Sequence, residues 1–123
     1  MIEPAEQLVA VFGGGGFIGR YVCEFLLRSG VRVRLASRNP RNDYFIQPLA
    51  QVGRFGFVKA DVTDAGSVRR AAKGATALIN LCGVFGRAMP SVHVAGARNV
   101  AEAARAEGAD FSSKVLKLAR RTP

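Results

Sequence analysis

No apolar run in this sequence approaches the ~20 residues that a membrane-crossing helix requires. The opening MIEPAEQ is acidic and lacks the charged-then-apolar pattern of a secretory leader, so a soluble, cytoplasmic chain is expected. Cysteine is scarce: Cys23 and Cys82 stand far apart, and neither has a second Cys or a His at metal-ligand spacing. That disfavours a disulfide framework and a structural metal site, and leaves both as small buried hydrophobes. The single histidine, His93, has no carboxylate or nucleophile placed with it and reads as a packing or capping residue, not a base. Repeats and low-complexity segments are absent.

Acids are also few, 9 against 18 basic residues, for a net charge of +9. Arg20, Arg28, Arg32, Arg34, Arg38 and Arg41 fall in a stretch whose only acid is Glu24, and Lys114, Lys117, Arg120 and Arg121 close the chain. Such a balance suits an anionic partner: a phosphorylated cofactor, a nucleic acid or an acidic membrane surface. With 123 residues, 49% of them hydrophobic and 22% charged, the chain otherwise has the make-up of one globular domain.

Its pattern alternates strand and helix. Leu8 to Phe12 is a continuous apolar run, as in a strand buried on both faces. After four glycines, Ile18, Tyr21, Val22, Phe25 and Leu26 recur at helical spacing, and Gly30 ends that helix. Val31, Val33 and Leu35 alternate with Arg32 and Arg34 in a second strand. Tyr44 to Val52 predicts a short helix that Pro48 kinks or opens. Phe55 to Ala60 is a third strand. Thr63 or Asp64 caps a helix that buries Val68, Ala71 and Ala72 and stops at Gly74. Ala75 to Leu81 is a fourth strand. Pro90 opens a long helix through Glu107, with Val92, Ala95, Gly96, Asn99 and Ala103 as its inward stripe. This order predicts an α/β, Rossmann-type doubly wound parallel sheet with strands in the spatial order 3-2-1-4. A fifth strand should begin near Phe111, yet KVLKL is the one weak candidate and fits a basic amphipathic helix equally. Residues 1–110 are thus expected to form the domain, and 111–123 a basic tail. The fourth strand would keep an open edge, a route to self-association.

The glycines at 13, 16 and 19 have the spacing of a dinucleotide-binding turn, between a buried strand and an amphipathic helix as that motif requires. Gly13 allows the chain to reverse, Gly16 leaves room for a pyrophosphate, and Gly19 lets helix and strand pack closely. The helix start, with Phe17 and Ile18, then points free N–H groups and its positive dipole end at the phosphates. A P-loop is excluded, because no Lys-Ser or Lys-Thr follows. Where an NAD enzyme places an acid after the second strand, this chain has Ser37 and Arg38, which suit a 2′-phosphate, so NADP(H) is favoured over NAD(H). Asp61 is placed to accept from the adenine amino group while Val62 packs on the ring. Leu81, Cys82 and Gly83 would line the middle of the cofactor.

Together GGGGFIGR, ADVTD, NLCGV and VHVAGARNVAEAA resemble the extended and atypical short-chain dehydrogenase/reductases. They are similar to the NAD-dependent epimerase/dehydratase-like proteins, and above all to the NAD(P)H-binding accessory subunits of respiratory complex I and their bacterial relatives. The resemblance covers about residues 7 to 109, including the basic second strand and NPRNDYFIQPLAQVG. It implies a Rossmann fold, bound NADP(H) or NAD(H), and either a structural or redox-sensing subunit, peripheral to the inner membrane, or a reductase-like activity on a sugar or in a quinone pathway. The family's Tyr-x-x-x-Lys pair is not matched: Tyr21 and Tyr44 both lack a Lys four residues on. Beyond Asp110 no family pattern continues, and Ser112-Ser113-Lys114 has nothing like an oxyanion site around it, so the chain reads as a truncated N-terminal half with no catalytic residues. The expectation is an NAD(P)(H)-binding module without catalysis. The alternatives are an NADPH-dependent oxidoreductase or epimerase needing a C-terminal half, and a basic nucleic-acid or membrane-surface binder.

Overall fold

The computed structural model describes residues 6–13, 17–38, 55–81 and 90–112. Its elements are β1 (Leu8–Phe12), α1 (Phe17–Arg28), β2 (Arg32–Ser37), β3 (Phe55–Lys59), α2 (Ala65–Ala72), β4 (Ala77–Asn80), α3 (Pro90–Glu107) and β5 (Asp110–Ser112). The strands form one parallel sheet in the order β3-β2-β1-β4-β5. The helix expected at Tyr44–Val52 lies outside the described residues.

Every residue of β1 is buried, as a central strand covered on both faces must be. Leu8, Ala10 and Phe12 meet Val68, Ala71, Val100 and Ala103 of α2 and α3. Val9 and Val11 point the other way, onto Val22, Cys23, Leu26 and Leu27 of α1. The buried face of α1 therefore includes Cys23 and omits Tyr21, which is 63% exposed although its spacing placed it among the apolar positions. A phenol on the rim of a helix stripe keeps its hydroxyl in water at little loss of burial. On α3, Ala95 is likewise exposed, and the inward stripe runs through Gly96, Val100, Ala103 and Ala104. Gly30, Gly74 and Gly108 follow the three helices at positive φ (91°, 80° and 65°), the left-handed ends that glycine supplies.

The expected order 3-2-1-4 is observed, and β5 extends it at Phe111, where a fifth strand should begin. Asp110, Phe111 and Ser112 pair with Ala77, Leu78 and Ile79. The Asp110 N–H donates to the Thr76 carbonyl at 3.0 Å, and Phe111 packs against the α2–α3 side of the core. The edge of β4 is thus closed along these residues, and the strand crosses residue 110 instead of beginning at KVLKL, which lies outside the described residues. Intrinsic preference in DFS is weak, and the pairing comes from the turn at Gly108 that aims the chain back along β4.

The basic cluster is divided. Arg28 pairs with Glu24 at 2.9 Å in the last turn of α1. Arg32 is exposed at the start of β2. Arg34 lies under α2, donating to the carbonyl oxygens of Ala71 at 2.6 Å and Lys73 at 2.8 Å. These three stand away from the carboxyl edge of the sheet, so the basic stretch does not serve one anionic site as a unit. Arg20 near the start of α1 and Arg38 after β2 remain at that edge, and Arg41 lies outside the described residues.

Candidate functional site

At the carboxyl edge of the sheet, β1 leads into α1 on one face while β4 leads into α3 on the other. A crevice opens where consecutive crossovers part in this way, and in doubly wound sheets ligands bind there. Gly13 extends β1 by one bond, its N–H donating to the Ala36 carbonyl at 3.0 Å, and then turns away at φ 77°. That angle is strained for any side chain-bearing residue, so glycine is required at this exit. Phe17 and Ile18 begin α1, and Gly19 is buried within its first turn. The start of α1 lies at this edge, and a helix start, whose first N–H groups have no partner within the helix, is the arrangement that holds phosphate oxygens. Gly16 lies outside the described residues.

The floor on the other side of the crevice is tied by the Leu81 N–H, which donates to the Phe12 carbonyl at 2.9 Å. The Leu81 side chain packs into the α1 side of the core, so its backbone and not its side chain is what the crevice meets. Asn80 is buried just before it. Cys82 and Gly83 lie outside the described residues.

Ser37 and Arg38 end β2, and the Ser37 carbonyl accepts from the Ala60 N–H at 2.9 Å. Register partners of parallel strands share a face. The row Val33–Phe55, Leu35–Phe57 therefore continues to Ser37–Lys59. Lys59 is exposed there and adds a cation beside Arg38 that the sequence did not single out. The neighbouring turn is more tightly built. One carboxylate oxygen of Asp61 accepts from the Thr63 N–H at 2.9 Å and from its hydroxyl at 2.7 Å. These two bonds, joined by the charge of Arg38, hold the Asp61 carboxyl below its ordinary pKa despite partial burial. Asp64, not Thr63, caps α2, accepting from the N–H groups of Gly66 and Ser67. The Ser67 hydroxyl, missed by sequence reasoning, accepts from the Asp61 N–H at 3.0 Å and lies 2.9 Å from the carbonyls of both Asp61 and Asp64. The Asp-to-Ser spacing of three within DVTDAGS is the local signal that could have found it.

The carboxyl edge carries an ionised, fixed carboxylate, an apolar Val62, two cations at adjacent strand ends and a helix N-terminus. The sequence-predicted residues Gly13, Ser37, Arg38, Asp61 and Val62 are thus brought to one edge. Tyr21 lies exposed on α1, with Phe25 one turn on, and Tyr44 lies outside the described residues. Among the described residues, no group of three or more His, Cys, Asp or Glu could hold a metal ion. No helix among them is long and apolar enough to cross a membrane.

Known proteins share this sequence and fold. The chain is 36% identical over 104 residues to cinnamoyl-CoA reductase 1 of Oryza sativa subsp. japonica, covering 80% of this chain and 31% of the relative. It is 35% identical over 128 residues to ceramide reductase of Caulobacter vibrioides, covering all of this chain and 38% of the relative. It is 34% identical over 77 residues to NADH dehydrogenase [ubiquinone] 1 alpha subcomplex subunit 9, mitochondrial, of Mus musculus, covering 62% of this chain and 20% of that protein. The chain thus spans about a third or less of these relatives. In three dimensions it matches a short-chain type dehydrogenase/reductase from Mycobacterium ulcerans with a TM-score of 0.71 at 20% identity, over 86% of this chain and 48% of that one. The model of the NAD dependent epimerase/dehydratase family matches residues 9–118, further along than the resemblance in the sequence reached. The chain belongs to the NAD dependent epimerase/dehydratase family.

Proposed function

We propose that this chain binds an NAD(P)(H) dinucleotide along the carboxyl edge of its sheet, with NADP(H) preferred, and supplies binding and not proton transfer. The observation that carries the proposal is the placing of Arg38 and Asp61 just beyond the paired ends of β2 and β3, where the Ala60 N–H donates to the Ser37 carbonyl at 2.9 Å. There a cation for a 2′-phosphate and an acceptor for the adenine amino group stand at the ends of neighbouring strands. Arg38 grips the phosphate, Lys59 adds charge, and the start of α1 receives the pyrophosphate. Calorimetric titration of the chain with NADPH and NADH is the test. Tighter binding of NADPH is expected; equal affinities overturn the preference, and absence of binding by both overturns the proposal.

A second reading follows from the relatives named as reductases, of which the chain spans 31% and 38%. In it, the chain is the cofactor-binding part of an NADPH-dependent reductase, and an acid–base pair comes from sequence beyond these residues. Extending the chain with the remainder of such a reductase and following NADPH oxidation with an acyl or carbonyl substrate separates the two. A binder that is the whole function would give no turnover in either form.

A further inference from the structure

Val62 is held from a distant helix as well as by its own turn. The Asn99 side-chain amide donates to the Val62 carbonyl at 2.8 Å, spanning 37 residues of sequence. Three residues earlier on α3, Gly96 lies so close that a Cβ there would meet Val62 Cγ2 at 2.9 Å and Cβ at 3.2 Å. The first distance is shorter than real side chains tolerate, so Gly96 is the seat into which the Val62 side chain fits. Residues three apart share a helix face, and this pair therefore grips both the backbone and the side chain of one residue. Asp61, immediately before Val62, is independently fixed by Ser67 and Thr63.

From this geometry we infer that Gly96 and Asn99 are positioning residues for the base end of the dinucleotide site, setting where Val62 stands and therefore how the adenine meets the Asp61 carboxylate. The inference rests on the cofactor proposal and deepens it. Neither residue needs to touch the ligand. Asn99 fixes the height of the Val62 peptide, and Gly96 fixes how far its side chain sinks toward α3. Alanine is the better helix former in the middle of an 18-residue helix, so the glycine at 96 answers to the close approach of Val62 and not to helix propensity.

A role confined to stability would weaken every ligand alike, whereas a positioning role alters discrimination at the base. Whichever of NADPH and NADH binds more tightly is titrated beside its ethenoadenine analogue, in which the amino group is blocked and the ring enlarged. The unaltered chain is expected to favour the natural base by about tenfold, the scale of a lost hydrogen bond to a charged group. Asn99→Ala and Gly96→Ala are expected to reduce that ratio to about threefold or less, on the same scale. Adding Val62→Ala to Gly96→Ala removes the 2.9 Å collision with Cγ2 and should recover a folded chain if the single variant unfolds. Its discrimination stays low, because the ring loses its packing partner. If Asn99→Ala keeps the full ratio while melting at a lower temperature, the two residues are structural and the inference is overturned. If the unaltered chain binds neither nucleotide, the cofactor proposal fails and carries this inference with it.

Discussion

Arg34 in β2 donates both protons of one guanidinium nitrogen to the end of α2, to the Ala71 carbonyl at 2.6 Å and the Lys73 carbonyl at 2.8 Å. The adjacent carbonyls are taken locally, Arg70 by the Lys73 N–H and Ala72 by the Ala75 N–H. Arg34 thus satisfies groups that a helix end leaves unpaired, and places a positive charge at the negative end of its dipole. An eight-residue helix is too short to persist without such support. Arg34→Ala should therefore destabilise the fold by about 1.5–3 kcal/mol, nearer the lower figure because one of the bonds is exposed. Arg34→Lys should recover part of the loss. Urea denaturation of the variants measures both, and a midpoint unchanged in Arg34→Ala would show that water replaces the guanidinium without loss.

Arg38 should behave differently. Removing it takes away the proposed 2′-phosphate contact and leaves the sheet intact, so Arg38→Ala should lower NADPH affinity by about 1–3 kcal/mol while NADH affinity changes little. Paired titrations read the difference directly. A parallel loss for both cofactors would place Arg38 elsewhere on the ligand.

Asp61 links the turn to pH. Its folded carboxyl has a pKa below the ordinary value because of Thr63 and Arg38. A lowered folded pKa stabilises the fold above the unfolded value, and that contribution disappears as pH falls through the folded one. The chain should lose stability progressively on acidification from about pH 5, most steeply once the pH falls below the unfolded aspartate value of about 3.9. Asp61→Asn should flatten this part of the curve, since an amide oxygen can still accept from Thr63 but does not titrate. Denaturation midpoints of both proteins across this range provide the difference curve. Identical acid limbs would show that other carboxylates carry the dependence.

How much of this was open to sequence depends on how far apart the partners lie. Buried β1, the amphipathic α1 and the positive-φ glycines Gly13, Gly30 and Gly74 are local patterns, and each stands where its residues predicted. Gly13, Ser37, Arg38, Asp61 and Val62 could be placed together from the sequence because strand ends in this fold define one edge. Tyr21 and Ala95 were misplaced because periodicity fixes a stripe to within about one residue position, and the rim residues decide exposure. A fifth strand is expected near Phe111, where β5 stands, but the sequence points to KVLKL as its candidate because Asp110–Ser112 has no β-branched residue and gains its form from pairing with β4. Arg34 read as one more free cation, and nothing near Asn99 announces Val62, since each partner is 37 residues away.

Ser67 connects the stability of the turn to its binding geometry. Its side chain is buried at the second turn-facing position of α2, where a hydroxyl is tolerated only with partners. It accepts from the Asp61 N–H at 3.0 Å, and its proton is shared between the Asp61 and Asp64 carbonyls, both at 2.9 Å. Ser67→Ala would leave that N–H without its acceptor, a loss of about 1–3 kcal/mol for a partly buried donor. The Asp64 cap remains, because its own bonds go to backbone N–H groups of Gly66 and Ser67, so α2 should still form. What loosens is the peptide before Asp61 and with it the aim of the carboxylate. Nucleotide affinity should therefore fall along with stability in Ser67→Ala. Ser67→Thr should retain most of the affinity if the added methyl finds room. Thermal melts with and without saturating nucleotide separate the two effects. A variant that melts earlier yet gains as much as the unaltered chain from added nucleotide would show that Ser67 holds the turn without aiming Asp61.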